Sequence, residues 1–306
     1  MPPAGISIII VSWNVRDRLR TCLASLPAAA EVETIVVDSA SSDGTSEMVQ
    51  AEFPQVTLIA SRDNLGYSRG NNLGLARAHG RYALILNPDT ELIGDALGRM
   101  GAYLDEHPRV GVVGPQLILA DGQVQPSRRR FPSLATAFFE STWLQPLAPP
   151  GVLKRYYAAD LPADQTAEVD WLVGAALLVR REAWQQAGML DEAFFMYSEE
   201  LDWQRRIKAA GWQVVYFPAA KVRHFEAQSS AQVPAATHIR FNTSKVHYFR
   251  KYFGRLAGEL LRWDLLAQFA VQLALEWTKG ALGHKRALRW ARVAAYRDVL
   301  RSGLKG

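Results

Sequence analysis

The order of apolar and polar positions over the first hundred residues alternates short apolar runs with amphipathic stretches. Such runs predict buried strands and the stretches between them predict helices. The predicted strands are Ile6–Val11, Thr34–Val37, Val56–Ala60 and Tyr82–Leu86, and the predicted helices include Arg16–Leu26, a short helix from about Thr45, and one around Asn71–Ala78. Short strands separated by helices predict parallel β-α-β units with right-handed crossovers.

The second half of the chain continues this pattern less regularly. Residues 120–168 are rich in proline and predict a long loop region. Around it we expect helices at Asp95–Glu106, Arg181–Ala187 and Glu200–Ala210, and strands at Gly111–Gly114, Asp170–Val179 and Val214–Phe217. From about Ile239 the pattern is wholly helical. The sequence therefore predicts an α/β fold, a mostly parallel central sheet flanked by helices, with a C-terminal helical extension.

Composition places the chain among ordinary globular proteins. It has 306 residues, 49% of them hydrophobic, which suffice for a sizeable core. Its single cysteine, Cys22, excludes an intrachain disulfide framework and fits a reducing compartment. The N-terminus lacks the basic start of a signal peptide, and the uncharged stretch Leu265–Leu275 is shorter than the ~18–20 residues that span a bilayer. We therefore expect a cytoplasmic protein.

Charge is unevenly distributed along the chain. Residues 240–306 hold 14 Lys and Arg against 4 Asp and Glu, whereas the rest holds 21 against 26. A basic tail suggests an anionic partner, but a solvated helical face explains the same charge. His284–Arg292, basic with Trp290 among its residues, fits a lipid headgroup region, and also a helix packed on the catalytic body or in a homodimer. Nucleic acid is the weakest partner, because no segment resembles a motif that reads bases.

Polar residues directly after the predicted strands are the first candidates for a site, because ligands of α/β sheets bind beyond the carboxyl ends of strands. Asp38 could contact a base or ribose, or cap the helix beginning near Thr45. Asn87-Pro-Asp89 could hold a hard divalent cation, although it is also a common turn former.

Two further segments carry candidate chemistry. Asn64–Asn72 combines glycines with asparagines before a helix, which suits phosphate, although a tight capped turn explains it equally well. It is neither a Walker A loop nor G-x-G-x-x-G. Glu199, Glu200 and Asp202 lie just behind an aromatic run, so they could raise one another's pKa and provide a general base. The alternative is an acidic first helical turn, with Asp202 paired to arginines one turn on.

Six segments in order resemble one known family. They are Ser7-Ile-Ile-Ile-Val-Ser-Trp-Asn14, Val37-Asp-Ser-Ala-Ser-Ser-Asp-Gly-Thr45, Asn64-Leu-Gly-Tyr-Ser-Arg-Gly-Asn-Asn72, Leu86-Asn-Pro-Asp-Thr90, Trp171-Leu-Val-Gly-Ala-Ala176 and Phe195-Met-Tyr-Ser-Glu-Glu-Leu-Asp202. Together they are similar to family 2 of the inverting glycosyltransferases, which have a GT-A fold, and most similar to its rhamnosyltransferase-like branch. The resemblance covers about residues 5–254.

The resemblance implies roles for individual residues. Asn87-Pro-Asp89 stands for an Asp-x-Asp metal motif whose first Asp is replaced, so Asp89 is the expected metal contact, joined by His224. Glu199-Glu200 stands for a Glu-Asp pair whose second member is the base, which makes Glu200 the expected base, with Glu199 and Asp202 as supporting acids. The expected nucleotide-sugar-binding residues are Ser12, Asn14, Asp38, Asn64, Gly66, Asn71, Asn72 and Asn87.

The resemblance therefore implies an enzyme that transfers one sugar with inversion, and rhamnose is the expected sugar. The expected donor is a dTDP- or UDP-sugar, and the expected acceptor is a saccharide or a lipid-linked molecule in cell-surface polysaccharide biosynthesis. The reaction needs Mg²⁺ or Mn²⁺. We expect a nucleotide-sugar-binding half (1–115), an acceptor-binding and catalytic half (116–238), and a basic helical tail (239–306) that could reach the inner face of the plasma membrane. Two alternatives stay open. One is a sugar nucleotidyltransferase, which would require a Gly-rich loop with a basic residue after the first strand. The other is a non-catalytic module that binds a nucleotide-sugar or a membrane.

Overall fold

The computed structural model describes residues 5–225 and 232–305. Short apolar segments form the strands, as the pattern predicts. The strands are β1 (Ile6–Ser12), β2 (Val32–Ser39), β3 (Thr57–Ser61), β4 (Tyr82–Leu86), β5 (Thr90–Ile93), β6 (Val110–Ile118), β7 (Arg128–Arg129), β8 (Ala167–Val169), β9 (Trp171–Leu172), β10 (Ala176–Arg180) and β11 (Gln213–His224).

Helices alternate with these strands and then make up the whole C-terminal region. They are α1 (Arg16–Ala24), α2 (Thr45–Glu52), α3 (Gly66–Leu75), α4 (Ala96–Glu106), α5 (Leu134–Phe139), α6 (Val152–Tyr156), α7 (Arg181–Ala187), α8 (Glu199–Ala209), α9 (Pro234–Phe253), α10 (Arg255–Ala281) and α11 (Arg286–Ser302). No helix in the described parts of the chain is long and apolar enough to cross a membrane.

Nine of the described strands form one sheet in the order β3-β2-β1-β4-β10-β6-β11-β5, with β8 paired to β11. β1, β2, β3 and β4 are mutually parallel, and β6 is parallel to β11. β10 runs antiparallel between β4 and β6, so β6 and β11 point the same way as β4. The carboxyl ends of six parallel strands therefore lie along one edge, called the carboxyl edge below.

The core covers both faces of this sheet. In β1, Ile8 and Ile10 pack on one side with Leu19, whereas Ile9 packs on the other side with Ile35. All of these side chains are buried. A strand covered on both faces needs a continuous apolar run instead of alternation, which is why the sequence pattern located β1 and β4 well.

By its internal contacts the chain divides into two compact units. The sheet unit comprises Met1–Phe131, Tyr157–Phe195 and Glu199–Ser229. The helical unit comprises Pro132–Tyr156, Met196–Ser198 and Ser230–Gly306, and contains α9, α10 and α11. The functional halves expected on either side of residue 115 stay a prediction.

Three sequence-based expectations need correction. α3 begins at Gly66 and not near Asn71, so most of the segment expected to be a loop is helical. The single strand expected at Asp170–Val179 is broken into β9 and β10 by residues 173–175. β11 continues well beyond Phe217 to His224, because its pairing with β6 resumes after a register shift between Phe217 and Lys221.

Candidate active site

The carboxyl edge collects most of the residues that the sequence singled out. Ser12 ends β1, Asp38 lies beside it in the register of β2, and Asn87 follows β4 on the other side of β1. Neighbouring strands are about 4.8 Å apart, and only β1 lies between β2 and β4, so Asp38 and the start of the Asn87–Asp89 turn are two strand spacings, or roughly 10 Å, apart. β11 brings His224 to the same edge, opposite Thr90 of β5.

The loop after β2 is held by its own side chains. Asp38 is almost fully buried; its Oδ1 accepts a hydrogen bond from the Ser41 backbone N–H (3.2 Å), and its Oδ2 accepts one from the Ser46 hydroxyl. Asn14, with a positive φ of 52°, accepts at Oδ1 from the Ser42 N–H (2.7 Å). Asp38 thus fixes the start of α2, and it still borders the carboxyl edge.

The Asn64–Asn72 segment begins a helix instead of forming a loop. Asn64 Oδ1 accepts from the Gly66 N–H at 3.1 Å, which satisfies one of the free N–H groups at the start of α3. Gly66 has a φ of +71°, and a Cβ there would lie 2.5 Å from the carbonyl oxygen of Phe195. Gly66 is therefore required by the close approach of Phe195, whose carbonyl also accepts from the Tyr67 N–H (2.7 Å).

The two asparagines that follow differ in how their amides are used. Asn72 donates from Nδ2 to the Leu190 carbonyl (2.9 Å) and accepts at Oδ1 from the Leu190 N–H (3.0 Å), so it fixes a neighbouring segment. Asn71 donates to the Tyr67 carbonyl (2.9 Å), but its buried Oδ1 has no hydrogen-bond partner among the described residues. Of the two, only Asn71 keeps an acceptor for another group.

Glu199 and Glu200 open α8 directly after two residues in the left-handed region, Tyr197 (φ 72°) and Ser198 (φ 66°). Non-glycine residues rarely adopt this conformation, and such strain concentrates at functional sites. Glu199 is only 4% exposed, whereas Glu200 is half-buried. In both side chains Oε2 is buried without a hydrogen-bond partner in the described chain.

Burial dominates the electrostatics of this pair. It raises the pKa of Glu199 well above its ordinary value, and the charge of Glu200 raises it further. Burial also raises the pKa of Glu200, although backbone N–H groups, that of Gly174 included, and the charge of Arg129 oppose the rise. A carboxyl group with a raised pKa holds protons more readily, which suits a general base.

Gly174 lies in the break between β9 and β10. A Cβ at this position would lie 3.2 Å from both Cβ and Cγ of Glu200, so only glycine leaves room for that side chain in its present position. Its carbonyl accepts from the Tyr67 hydroxyl (2.9 Å), and the neighbouring Ala175 carbonyl accepts from the Asn87 N–H (2.9 Å). The break therefore joins α3, β4 and α8 at one point.

The Tyr67 hydroxyl lies near the acidic pair, because it donates to the Gly174 carbonyl and Gly174 packs against Glu200. Burial raises the pKa of this hydroxyl well above 10, and the charges of Glu199, Glu200 and Asp89 raise it further. Three carboxylates from two distant parts of the sequence thus act on one hydroxyl. Asp202 does not share this arrangement in the same way: it is fully buried, and its Oδ2 accepts from Arg206 Nε (2.8 Å), the helical pairing that the sequence offered as its alternative role.

Asp89 and His224 form the candidate metal pair. Asp89 Oδ1 lies 3.5 Å from His224 Nε2, and both side chains are nearly buried. On the other side of the ring, His224 Nδ1 lies 2.9 Å from Gln125 Oε1, an acceptor that fixes the proton on Nδ1 and leaves Nε2 to act as a ligand. No group of three or more His, Cys, Asp or Glu side chains in the described chain could enclose a metal by itself.

Sequence reasoning missed several residues of this region. Tyr67 and Gly174 lie inside quoted motifs, so the signal was present without a role attached to it. Gln125, which orients His224, lies in the proline-rich segment, where no pattern singles it out. Arg129, whose charge acts on Glu200, belongs to the basic run Arg128–Arg130 of the same segment, a signal that had no specific role attached to it.

Comparison with known proteins agrees with this fold. The sequence model of glycosyl transferase family 2 matches residues 7–156. The chain is 31% identical over 283 residues to the N-acetylglucosaminyl-diphospho-decaprenol L-rhamnosyltransferase of Mycobacterium tuberculosis, with 87% of this chain and 91% of that protein covered. It is 27% identical to the rhamnosyltransferase WbbL of Escherichia coli, with 72% of this chain and 83% of that protein covered.

Solved structures show the same architecture. The mannosyltransferase PcManGT from Pyrobaculum calidifontis, in complex with GDP-Man and Mn²⁺, superposes with a TM-score of 0.57 over 98% of this chain and 84% of that chain, at 18% identity. TarS 1–349 of S. aureus gives a TM-score of 0.53 over 97% of this chain and 90% of that chain, at 16% identity. The expected GT-A fold is confirmed, and the chain belongs to glycosyl transferase family 2. It is a glycosyltransferase with rhamnosyltransferase relatives.

Proposed function

We propose that this glycosyltransferase moves one sugar, rhamnose, from a dTDP- or UDP-sugar to a saccharide or lipid-linked acceptor during cell-surface polysaccharide biosynthesis, with inversion at the transferred carbon. The name of the M. tuberculosis relative, which describes an L-rhamnosyltransferase for an N-acetylglucosaminyl-diphospho-decaprenol, supports the sugar and the lipid-linked acceptor. The alignment covers most of both chains, which supports the inference that this chain performs the same reaction as that relative.

In this proposal Glu200 is the base. It accepts the proton of the acceptor hydroxyl as that oxygen attacks the anomeric carbon from the side opposite the leaving nucleoside diphosphate. Its raised pKa and its half-buried position support this role, because Glu199 is too deeply buried to meet an acceptor directly. Glu199 lies next to the base, with its own pKa raised by burial and by the charge of Glu200, and Gly174 keeps the base in place.

Asp89 and His224 would hold a divalent cation, Mg²⁺ or Mn²⁺. Their facing oxygen and nitrogen atoms, and the Gln125 contact behind the ring, fit a cation that leaves its other positions to phosphate oxygens. When bound, such a cation neutralises the charge that develops on the departing diphosphate. The unpartnered Oδ1 of Asn87, at the position where the family has a carboxylate, supports a neutral contact in the same place.

The remaining residues of the carboxyl edge would bind the donor. Asp38 would contact the base or ribose, and Ser12, whose buried hydroxyl has no hydrogen-bond partner in the described chain, would lie next to it. Asn14 and Asn64 would act by holding the loop and the helix start in shape. Asn71 would offer its free amide oxygen, while Gly66 and Asn72 would contribute through the packing of α3.

The observation that carries the proposal is the geometry at the carboxyl edge. Asp89 faces His224 at 3.5 Å, and Gly174, which accepts from the Tyr67 hydroxyl, packs against Glu200. The direct test is turnover of a panel of dTDP-, UDP- and GDP-sugars with Mn²⁺ and a lipid-linked N-acetylglucosamine diphosphate acceptor. We expect release of nucleoside diphosphate coupled to transfer of one sugar, fastest with the dTDP- or UDP-rhamnose donor.

Other outcomes of this panel, and of a parallel assay with a sugar phosphate and a nucleoside triphosphate, lead to different functions. Release of pyrophosphate from a sugar phosphate and a nucleoside triphosphate would indicate a sugar nucleotidyltransferase instead. Donor binding without turnover, over the whole panel and with several acceptors, would indicate a non-catalytic module. Fast transfer of another sugar would keep the mechanism and replace the donor.

A further inference from the structure

Helix α10 carries an apolar stripe on its exposed side. Leu256, Leu260, Trp263, Val271 and Leu275 are 74%, 56%, 62%, 45% and 51% exposed. Residues at spacings near three and four lie on one side of a helix, so these side chains form a continuous band, called the α10 stripe. An exposed apolar band of this length on a globular protein marks an interaction surface.

Two polar side chains of α10, Gln268 and Glu276, are buried. Glu276 is buried and accepts from Arg289 at 2.6 Å and 2.7 Å. Gln268 is buried and donates to Asp264 (2.6 Å). Between Ala267 and Thr278 every exposed residue is uncharged. From Ala267 to Thr278 the exposed side of the helix therefore carries no charge.

Basic residues lie at the end of the stripe. Lys279, Lys285 and Arg286 are exposed, and Leu282, between them in sequence, is 81% exposed. Residues 240–306 as a whole hold 14 Lys and Arg against 4 Asp and Glu. An apolar band with tryptophan and a basic end has the composition of helices that lie in the headgroup region of anionic membranes.

We propose that the α10 stripe docks on the surface of an anionic phospholipid membrane. Trp263 lies at the headgroup level, the leucines enter the acyl boundary, and the basic residues contact lipid phosphates. A second copy of this chain is the other occupant to consider. Residues 240–306, which include the stripe, carry ten more Lys and Arg than Asp and Glu, so two copies docked through it would repel each other. An anionic lipid surface complements this charge. The proposal goes beyond glycosyl transfer and does not depend on it.

The test is flotation of the full chain with two kinds of vesicle, phosphatidylcholine alone and phosphatidylcholine with about one third phosphatidylglycerol. We expect binding to the anionic vesicles. The attraction between the basic side chains and the lipid phosphates should weaken in 1 M salt, where the Debye length is only about 3 Å.

The fraction of protein that floats with the anionic vesicles should fall at least about tenfold in the variant Leu260→Gln/Trp263→Gln/Leu275→Gln. The variant removes most of the apolar area that the stripe would bury in the membrane. The matched control Ile93→Gln/Val124→Gln/Met189→Gln changes three exposed apolar side chains of the sheet unit and should bind like the wild type. Thermal unfolding of each variant shows whether it is folded.

Three results would overturn the proposal: wild-type protein that does not float, a stripe variant that binds as well as the wild type, or a wild-type dimer that the stripe variant dissociates without any vesicle binding. If the stripe variant does not fold, quenching of wild-type tryptophan fluorescence by brominated phosphatidylcholine in the anionic vesicles decides, and absence of quenching rejects the idea. No donor sugar is needed, so the outcome is independent of the proposed reaction.

Discussion

Two regions of the carboxyl edge use their polar groups in opposite ways. Around Asp38 the side chains bond within their own loop. Asp38 accepts from the Ser41 N–H and the Ser46 hydroxyl, and Asn14 accepts from the Ser42 N–H. At the start of α8, one carboxyl oxygen of each glutamate has no such bond: Oε2 of Glu199 and Oε2 of Glu200 are buried without a hydrogen-bond partner in the described chain.

The Asp38 loop therefore has a shape fixed by its own hydrogen bonds, whereas the Glu199–Glu200 pair keeps carboxyl oxygens that a reaction can use. Hydrogen bonds within the Asp38 loop fix a surface before any ligand arrives, which lowers the entropy lost on binding. Unpartnered carboxyl oxygens cost stability, and a protein keeps them where a reaction uses them. Substitutions around Glu200 should therefore change turnover most, and four of them test this in order of expected size.

Glu200→Gln is expected to have the largest effect. It removes the base and keeps the shape, so transfer should fall by ~10²–10⁴ while donor binding stays near that of the wild type. Initial rates and donor titration measure the two quantities. Glu182→Gln, an exposed first-turn glutamate of α7, is the matched control and should leave both unchanged. Transfer within a few-fold of the wild type would exclude Glu200 as the base.

Asp89→Ala is expected to abolish the dependence of donor binding on Mn²⁺. The carboxylate faces His224 at 3.5 Å, and one nitrogen ligand alone holds a hard cation poorly. Donor titrations with and without Mn²⁺ should coincide in the variant, while Asp121→Ala, in an exposed loop, should keep the wild-type difference. A metal dependence that survives in Asp89→Ala would count against this role.

Gly174→Ala should have an intermediate effect. The added Cβ would lie 3.2 Å from Cβ and Cγ of Glu200, so the base must shift by a few tenths of an ångström. A misplacement of about 1 Å can cost ~10²-fold in rate, so we expect a smaller loss, roughly tenfold, in kcat. Gly101→Ala, whose Cβ would meet only Ile6 Cδ1 at 3.5 Å, is the control. Equal kcat for both variants would show that Gly174 does not position Glu200.

Glu199→Gln should have the smallest effect on turnover and a visible effect on stability. Its raised pKa means that the folded state binds this proton more tightly than the unfolded state. The free energy of unfolding is therefore highest below the ordinary value of 4.5 and falls as the pH rises from there through the folded-state pKa. Glutamine cannot ionise, so this part of the fall should disappear.

Urea unfolding of the wild type and of Glu199→Gln across this pH range measures the effect. At neutral pH we expect the variant to be more stable than the wild type, because glutamine places no ionisable group in this buried position. Parallel pH profiles for the two proteins would mean that Glu199 does not carry the proton proposed here.

Much of the sheet could be predicted from the sequence, because buried parallel strands are short apolar runs. β4 and α7 match their predicted bounds, Tyr82–Leu86 and Arg181–Ala187. The start of α3 could not be predicted, since glycine and asparagine are poor helix formers and only packing against Phe195 and β1 makes them suitable. The break at Gly174 likewise depends on the side chain of Glu200, which is distant in sequence.

The candidate site was predicted in outline and not in its supporting contacts. The resemblance selected Asp89, Glu200 and His224 as a set, and the strand order explains why Asp89 and His224 meet. Gln125 lies in an irregular segment, and its contact with His224 arises only from tertiary folding. The outward side of α10 could not be assigned either, because a mixed helix does not show which of its faces is covered.

The closeness of α3 to β1 has a consequence for anyone who wishes to make this protein more heat-resistant. Replacing helical glycines with alanine is a standard route to a higher melting temperature. Here a Cβ at Gly70 would come within 2.7 Å of Val11 Cγ1, and one at Gly74 within 2.3 Å of Ile9 Cγ2. That route is closed in α3, and engineering for thermal tolerance has to begin at positions such as Gly101, where the space for a methyl group already exists.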